Sequence, residues 1–424
     1  MSKPADAQQY FAPRLEDLHD PFLMTDMERA VERIERAIAG NEMIWIHGDY
    51  DVDGTASTAM LVEFLRSLGA NVCYYIPDRL SEGYGISTQS INAALEHRAQ
   101  LLITVDCGIT SSEVLTYAQS RGLDVIICDH HEPGDCLPPA FAILDPLIPD
   151  CPYPFKHLAA CGVTFKLIEA ICIRRGMHQR AFEYLDYVAI ASAADIVPLV
   201  GENRILVAHG LRKLNTDPRP GFRGLIDCVG ADYGSITTSS IVYGIAPRIN
   251  AAGRLGDARR AVEMMLQPNP VLAFRIAQSL EHDNRKRRSF DEITFDQARQ
   301  QAEQIMATQQ RRSLVLHSPS WHPGVIGIVA SRLVERFHVP TILLTSSDGI
   351  AKGSARSIRN FDIHAALKQC ESLLIEFGGH KYAAGLALHP DNIPLLAEQF
   401  ERIAHQQITE DMLLPELTID APMQ

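Results

Sequence analysis

The strongest constraint on this chain is an alternation. Between residues 43 and 128, four short apolar runs at 43–46, 72–76, 101–105 and 125–128 are separated by helical patterns over about 57–68, 88–97 and 110–120. Strands that alternate with helices build βαβ units, and these close into a mainly parallel sheet with helices on its faces. An amphipathic helix comes first: Met27, Ala30, Val31, Ile34 and Ile38 repeat at helical spacing, Thr25 with Glu28 forms a capping-box pattern, and Gly40 closes the segment. The expected class is α/β with a parallel sheet.

Polar residues fall where such a sheet binds ligands, outside the carboxyl ends of its strands. "HGDYDVDG", His47 to Gly54, follows the first strand. Asp106 ends the third in "LLITVDCG", and Asp129-His130-His131 ends the fourth in "DVIICDHH". A further acid, Asp195, ends the apolar run "YVAIASAADIVPL", expected to be helix and turn near that edge. Asp49, Asp51 and Asp53 repel one another unless a cation or a backbone donor compensates. An Asp-rich loop can also cap the helix that follows it, and one His-Asp pair at a strand end is commonly structural. Four clusters on neighbouring element ends point instead to metal. Mixed imidazole and carboxylate donors suit Mn²⁺, Zn²⁺ or Fe²⁺ ahead of Mg²⁺. So many donors exceed what one ion needs, which implies two ions sharing a carboxylate. Two ions about 3.5–4 Å apart can activate a water and stabilise phosphate oxygens, so phosphoester hydrolysis is the natural reaction.

The 424 residues are 46% hydrophobic, enough for more than one core. Nine cysteines lie scattered without paired spacing, which indicates neither a disulfide framework nor a cysteine zinc site and fits a reducing cytoplasm. The first twenty residues lack an apolar signal core, and no run reaches the ~18 apolar residues a membrane span needs, so the expected location is cytoplasmic, with no membrane partner. A net charge of −13 argues against nonspecific nucleic-acid binding over the whole surface but leaves room for a local basic groove. Residues 285–288, Arg-Lys-Arg-Arg, are one such bunch, although a solvated helix face reads the same way. Residues 257–309 are helical and charged, interrupted at Pro268 and Pro270. Beyond them lies a smaller α/β unit: strand "SLVLHS", a helix over 324–337, strand "PTILLTS", and glycine-bearing loops "AKGSARS" and "FGGHKYAAG". The expected division is 1–256, a connecting segment 257–309, and 310–424.

Taken together these segments resemble the DHH phosphoesterase superfamily. "HGDYDVDG", "VDCG", Asp129-His130-His131 and "SAADIVPL" match its four motifs. "HPGVIGIVASRL", "GSARS" and "GGHKYAAG" match its associated C-terminal domain, and "PRINAAGR" is similar to a feature of its single-stranded-DNA exonuclease branch. The match spans roughly residues 20–420. The resemblance implies a parallel-sheet DHH domain joined by a long helix to a smaller α/β DHH-associated domain. It implies two divalent ions, Mn²⁺ first and Mg²⁺ second. His47 and Asp51 would hold one; Asp53, His130 and Asp195 the other; Asp106 would bridge, and Asp49 would ligate or orient a ligand. His131 would contact the scissile phosphate, and Asp129 would hold an imidazole in its tautomer. Ser354, Arg356, Gly378, Gly379 and His380 would form a phosphate-binding wall. Arg79, Tyr84, Arg248, Asn250 and Arg254 would line the DNA path or hold a 5′ end, with Tyr84 and Trp321 as stacking groups. The implied activity is 5′→3′ hydrolysis of single-stranded DNA to mononucleotides in recombination and repair, with a single-strand-binding protein and a helicase as candidate partners. The competing readings are a phosphodiesterase for short oligonucleotides or cyclic dinucleotides, a pyrophosphatase, and a non-catalytic scaffold. Family members of this branch continue into an oligonucleotide-binding barrel, where this chain ends at "LPELTIDAPMQ". Without that barrel, grip on long strands is expected to weaken while the metal chemistry stays.

Overall fold

The computed structural model describes residues 10–79, 81–83, 85–415 and 419, so Tyr84 lies outside the described residues. The chain divides into two compact units, Met1–Asn284 and Arg285–Gln424.

The first unit is built on a five-stranded sheet of order β2-β1-β3-β4-β5. Its strands are β1 (Met43–Gly48), β2 (Asn71–Tyr75), β3 (Ala99–Val105), β4 (Asp124–Cys128) and β5 (Ala142–Leu144), and every described pairing is parallel. Ile44 and Ile46 on β1, Leu101 and Ile103 on β3, and Ile126 and Ile127 on β4 are fully buried, as expected of parallel strands covered on both faces. β5 had no counterpart in the sequence reading, because three residues are too few to show a period.

Two helix starts differ from expectation. The helix Val52–Ser67 begins inside the Asp-rich motif, because the Asp51 carboxylate accepts the Gly54 N–H at 3.1 Å and caps it. The first helix, Met27–Ala39, is not started by a Thr25 capping box. Its N-cap is Asp26 at φ +62°, whose carboxylate takes Arg29 at 2.8 Å and the Ile143 N–H at 3.1 Å. Helices Ala160–Arg174 and Leu185–Ala194 pack against Val52–Ser67. The charged segment after residue 256 resolves into two helices, Arg259–Leu266 and Pro270–Thr308. They part at Pro268 and Pro270, which lack the N–H a continuing helix needs. The division between the two units falls within the longer helix.

The second unit holds a sheet of order β6-β7-β8-β10-β9: β6 (Leu314–His317), β7 (Thr341–Ser347), β8 (Ile350–Arg356), β9 (Glu376–Gly379) and β10 (Ala383–Leu388). β6 and β7 are parallel and the rest antiparallel. The segments expected as glycine-bearing loops are strands here. Gly353 shows why: a Cβ there would lie 2.6 Å from Leu344 Cδ2 and 2.9 Å from Leu386 Cδ2, so glycine makes room for leucines of both neighbouring strands. One side of the sheet packs Ile342, Leu344 and Ala355 with Phe361 and Phe400, the other packs Leu316 and Leu343 with Val329 and Leu333. Trp321 belongs to this second core, 3% exposed with its Nε1 donating to Gln297 at 2.9 Å, so it is a core residue and not a stacking group. No described helix is long and apolar enough to cross a membrane.

Candidate metal centre

The candidate site lies at the carboxyl ends of β1, β3 and β4. His47 and Gly48 are the last residues of β1, Asp53 sits in the first turn of the helix after it, Asp106 follows β3, and Asp129, His130 and His131 follow β4. Asp195 caps the C-terminus of Leu185–Ala194. Three overlapping groups have ligand atoms within 4.8 Å of one another: Asp49, Asp51 and Asp106; Asp53, His130 and Asp195; and Asp106, His130 and His131. Asp106 is common to two of them. His130 Nε2 is 3.3 Å from Asp106 Oδ1 and 3.9 Å from both Asp53 Oδ2 and Asp195 Oδ2. Asp106 stands at φ +64°, a left-handed conformation that Asp tolerates better than most residues.

The electrostatics of this cluster call for positive charge. Burial drives the carboxyls of Asp49, Asp53 and Asp106 well above the ordinary range, and neighbouring aspartates drive them further. Asp195 is pushed to about 7 by burial and then by Asp51. Burial lowers His47 and His130 to about 4, so both imidazoles are neutral and hold a lone pair. Among the described residues, neither His47 ring nitrogen has a hydrogen-bond partner of good geometry, nor does Asp49 Oδ1, and all three are buried. Such orphaned groups cost roughly 1–3 kcal/mol each, and divalent cations would take the lone pairs of one His47 nitrogen and of Asp49 Oδ1. The donor set fits metal. His131 differs: burial would lower it, but the hydrogen bond and charge of Asp129 outweigh that and raise it to about 9. Its Nδ1 is 2.7 Å from Asp129 Oδ1. Asp129 also accepts N–H bonds from Ile109 (3.0 Å) and His130 (2.8 Å), which fix that carboxylate in place.

In the second unit, Ser354 and Arg356 alternate along β8 and share a face. Ser354 is in register with Gly385, which pairs with Gly378 on β9. Arg356 is in register with Ala383, whose carbonyl accepts the His380 N–H at 2.8 Å. Arg356 Nη1 lies 3.0 Å from Ser354 Oγ. The structure thus places Ser354 and Gly378 in one cross-strand row and Arg356 two positions along, opposite Ala383, whose carbonyl holds His380, with Gly379 closing β9.

Residues 43–192 match the DHH family, N-terminal domain, and residues 310–406 match the DHHA1 domain. The chain is 41% identical over 406 residues to the single-stranded-DNA-specific exonuclease RecJ of Bacillus subtilis (strain 168), covering 95% of this chain and 51% of that one. It is 37% identical over 418 residues to RecJ of Dickeya dadantii (strain 3937), covering 94% of this chain and 73% of that one. It belongs to the RecJ family. A crystal structure of exonuclease RecJ bound to manganese superimposes with a TM-score of 0.81 at 35% identity, over 93% of this chain and 97% of that one. The chain spans about half the length of the Bacillus RecJ and nearly three quarters of the Dickeya RecJ.

The remaining candidate residues of this RecJ family member divide. Arg79 lies with its guanidinium 5.0 Å from the centre of the Tyr50 ring, inside the Asp-rich motif. Its charge stabilises the Asp49 carboxylate, and both Arg79 and Arg254 act on Tyr50. Arg254 is carried by the helix Ala246–Leu255, which approaches the motif closely: a Cβ on Gly253 would stand 2.8 Å from the Tyr50 carbonyl oxygen. Asn250 is half-buried on the same helix. Arg248 is instead spent on the fold, 7% exposed, paired with Glu281 at 2.6 Å and donating to the Gly244 carbonyl at 2.6 Å. It does not line an open path.

Sequence reasoning missed one structural partner of the site. Asp53 Oδ2 accepts the Ala160 N–H at 2.7 Å and Oδ1 accepts the Cys161 N–H at 2.8 Å, both from the first turn of Ala160–Arg174. The Leu158 backbone, just before that helix, favours a proton on His130, an effect that burial outweighs. The segment "LAAC" carries no titratable group near the site beyond a buried thiol, so nothing in its residue types marked it. Asp145, at the end of β5, was also unassigned. It is fully buried, and burial pushes it to about 7.

Proposed function

We propose that this chain is a metal-dependent phosphodiesterase that removes mononucleotides from the 5′ end of single-stranded DNA, in recombination and repair. One observation carries the reading: Asp106 belongs both to the group of Asp49 and Asp51 and to the group around His130, which itself reaches Asp53 and Asp195. Two divalent ions fit such a pair of groups, Mn²⁺ ahead of Mg²⁺ for mixed imidazole and carboxylate donors. Asp49, Asp51 and Asp106 would hold one, with His47 at the same strand end, and Asp53, His130 and Asp195 the other, with Asp106 shared. When bound, the ions supply water activation and neutralisation of phosphate oxygens.

The chain's own groups do the rest. His131, charged and locked by Asp129, holds a proton beside Asp106 and His130, where it can donate to the phosphate or to the departing oxygen. Arg79 and Arg254 bring positive charge to the rim at Tyr50, suited to a terminal phosphate. Ser354, Arg356 and the backbone of Gly378 to His380 would bind phosphates of the strand.

The test is digestion of single strands labelled at the 5′ or the 3′ end, long and short, with Mn²⁺, Mg²⁺ or chelator. A 5′ label should be released at once as a mononucleotide, a 3′ label should remain on a shrinking strand, and chelator should stop both. Release of the 3′ label first would overturn the polarity. Cleavage restricted to short oligonucleotides or cyclic dinucleotides would overturn the substrate.

A further inference from the structure

We propose that the apolar cleft beside Asp195 is a nucleobase subsite, in which Tyr243 stacks on one base of the bound strand; this rests on the single-stranded-DNA reading above. The cleft encloses about 260 Å³ and is lined by Ser192, Ile196, Val197, Leu199, Val242 and Tyr243, among others. One wall is the segment that continues directly from Asp195. The other is a π-helical turn, Ile241–Ile245, that runs straight into Ala246–Leu255, the helix of Asn250 and Arg254. Both walls therefore lead within a few residues to groups of the candidate centre.

Four features set this cleft apart from ordinary surface. Tyr243 is 76% exposed and Ile196 77% exposed, large apolar groups standing side by side in solvent. Ile196 has φ +60°, a conformation a β-branched residue adopts only under strain, and the strain falls on the residue after Asp195. π-helical turns are rare and concentrate at functional sites. The Ser192 hydroxyl, on the inner wall, is fully buried without a hydrogen-bond partner among the described residues.

The lining carries no charged side chain, so it does not suit a phosphate. It suits a flat, largely apolar group with polar atoms at its edge, which describes a nucleobase. Stacking on an aromatic ring tolerates all four bases, because each presents a π-face. The cleft would thus grip the strand without reading sequence, while the charged groups nearby take the backbone.

The experiment uses single strands carrying one abasic (tetrahydrofuran) residue at successive positions from the 5′ end. Affinity is measured in chelator, where no cleavage occurs, for the wild type, Tyr243→Ala and Tyr243→Phe. The wild type should lose about tenfold at one abasic position. Tyr243→Ala should lose about tenfold on the intact strand and nothing more at that position, while Tyr243→Phe keeps the wild-type pattern. Equal losses for wild type and Tyr243→Ala at every abasic position would overturn the subsite, as would unchanged affinity of Tyr243→Ala. So would weakened self-association of Tyr243→Ala in sedimentation with DNA binding intact, which would make the cleft a contact between copies. Failure of the wild type to bind any single strand would instead overturn the function proposed above.

Discussion

At the residue scale, crowding of "HGDYDVDG" has several physical causes at once. Asp51 caps a helix, as a bland Asp-rich loop would, and it also shares a ligand group with Asp49 and Asp106. Asp53 takes two N–H bonds yet lies 3.9 Å from His130. The strain of so much buried acid should be visible without any substrate. Asp49, Asp53, Asp106 and Asp195 are all raised above their unfolded values and His131 is raised to about 9, whereas His47 and His130, lowered to about 4, oppose them below about pH 6.5; between about pH 7 and 9 the native chain therefore binds more protons than the unfolded one. Stability in chelator should therefore fall as pH rises through that window. A melting series should show a lower Tm at pH 8.5 than at pH 7, and saturating Mn²⁺ should recover several degrees, more at pH 8.5 than at pH 7. A pH-independent Tm in chelator would contradict the charge assignment. Asp129 makes a separate prediction. Asp129→Asn keeps the shape but removes the charge that raises His131, so kcat should drop by roughly 10–100-fold with KM little changed, and His131 should titrate well below 9 by NMR.

At the element scale, strands and helices of the first unit were legible because a fully buried parallel strand and an amphipathic helix leave clear periods. Helix beginnings were less so. Val52–Ser67 starts inside the charged motif, where its acids looked like loop rather than a first turn that welcomes negative charge. In the second unit, the glycine of "AKGSARS" read as a turn signal when it is a small residue beneath cross-strand leucines. The N-terminal turn of Ala160–Arg174 could not be seen at all, since it acts through main-chain N–H groups that every residue type shares. It is nonetheless testable. Ala160 is the first helical residue, and Ala159 before it is extended at φ −68°, ψ 162°, so proline fits the backbone there. Ala160→Pro should keep the helix but remove one bond to Asp53. Mn²⁺ affinity should weaken by roughly tenfold with unchanged circular dichroism. Unaltered Mn²⁺ binding in the folded variant would remove any positioning role for that turn.

At the scale of the whole molecule, the α/β class of both units follows from the order of apolar runs, and the candidate metal donors stood out because they sit at successive strand ends. Groups offered for the substrate were less legible, because a lone arginine or tryptophan has the same letter in a groove and in a core. Arg248 and Trp321 proved to be packing residues, whereas Tyr243, unmarked in the sequence, is exposed beside Asp195's segment. The split also separates roles. Arg356 lies in the second unit and Asp106 in the first. Arg356→Ala should raise KM for single strands by roughly tenfold while leaving the number of bound Mn²⁺ unchanged. An unchanged KM would count against Ser354, Arg356 and Gly378 as phosphate contacts.

In the function proposed above, Asp106 would join two groups of ligands into one dinuclear centre. The most direct measurement is the number of Mn²⁺ ions bound per chain, counted by titration followed by electron paramagnetic resonance, for wild type and Asp106→Ala. Wild type should bind two ions with spectral coupling between them, and Asp106→Ala, still folded, should lose that coupling, at least one ion and hydrolysis by more than roughly 100-fold. Two coupled ions retained in Asp106→Ala, or a single ion in the wild type, would contradict it.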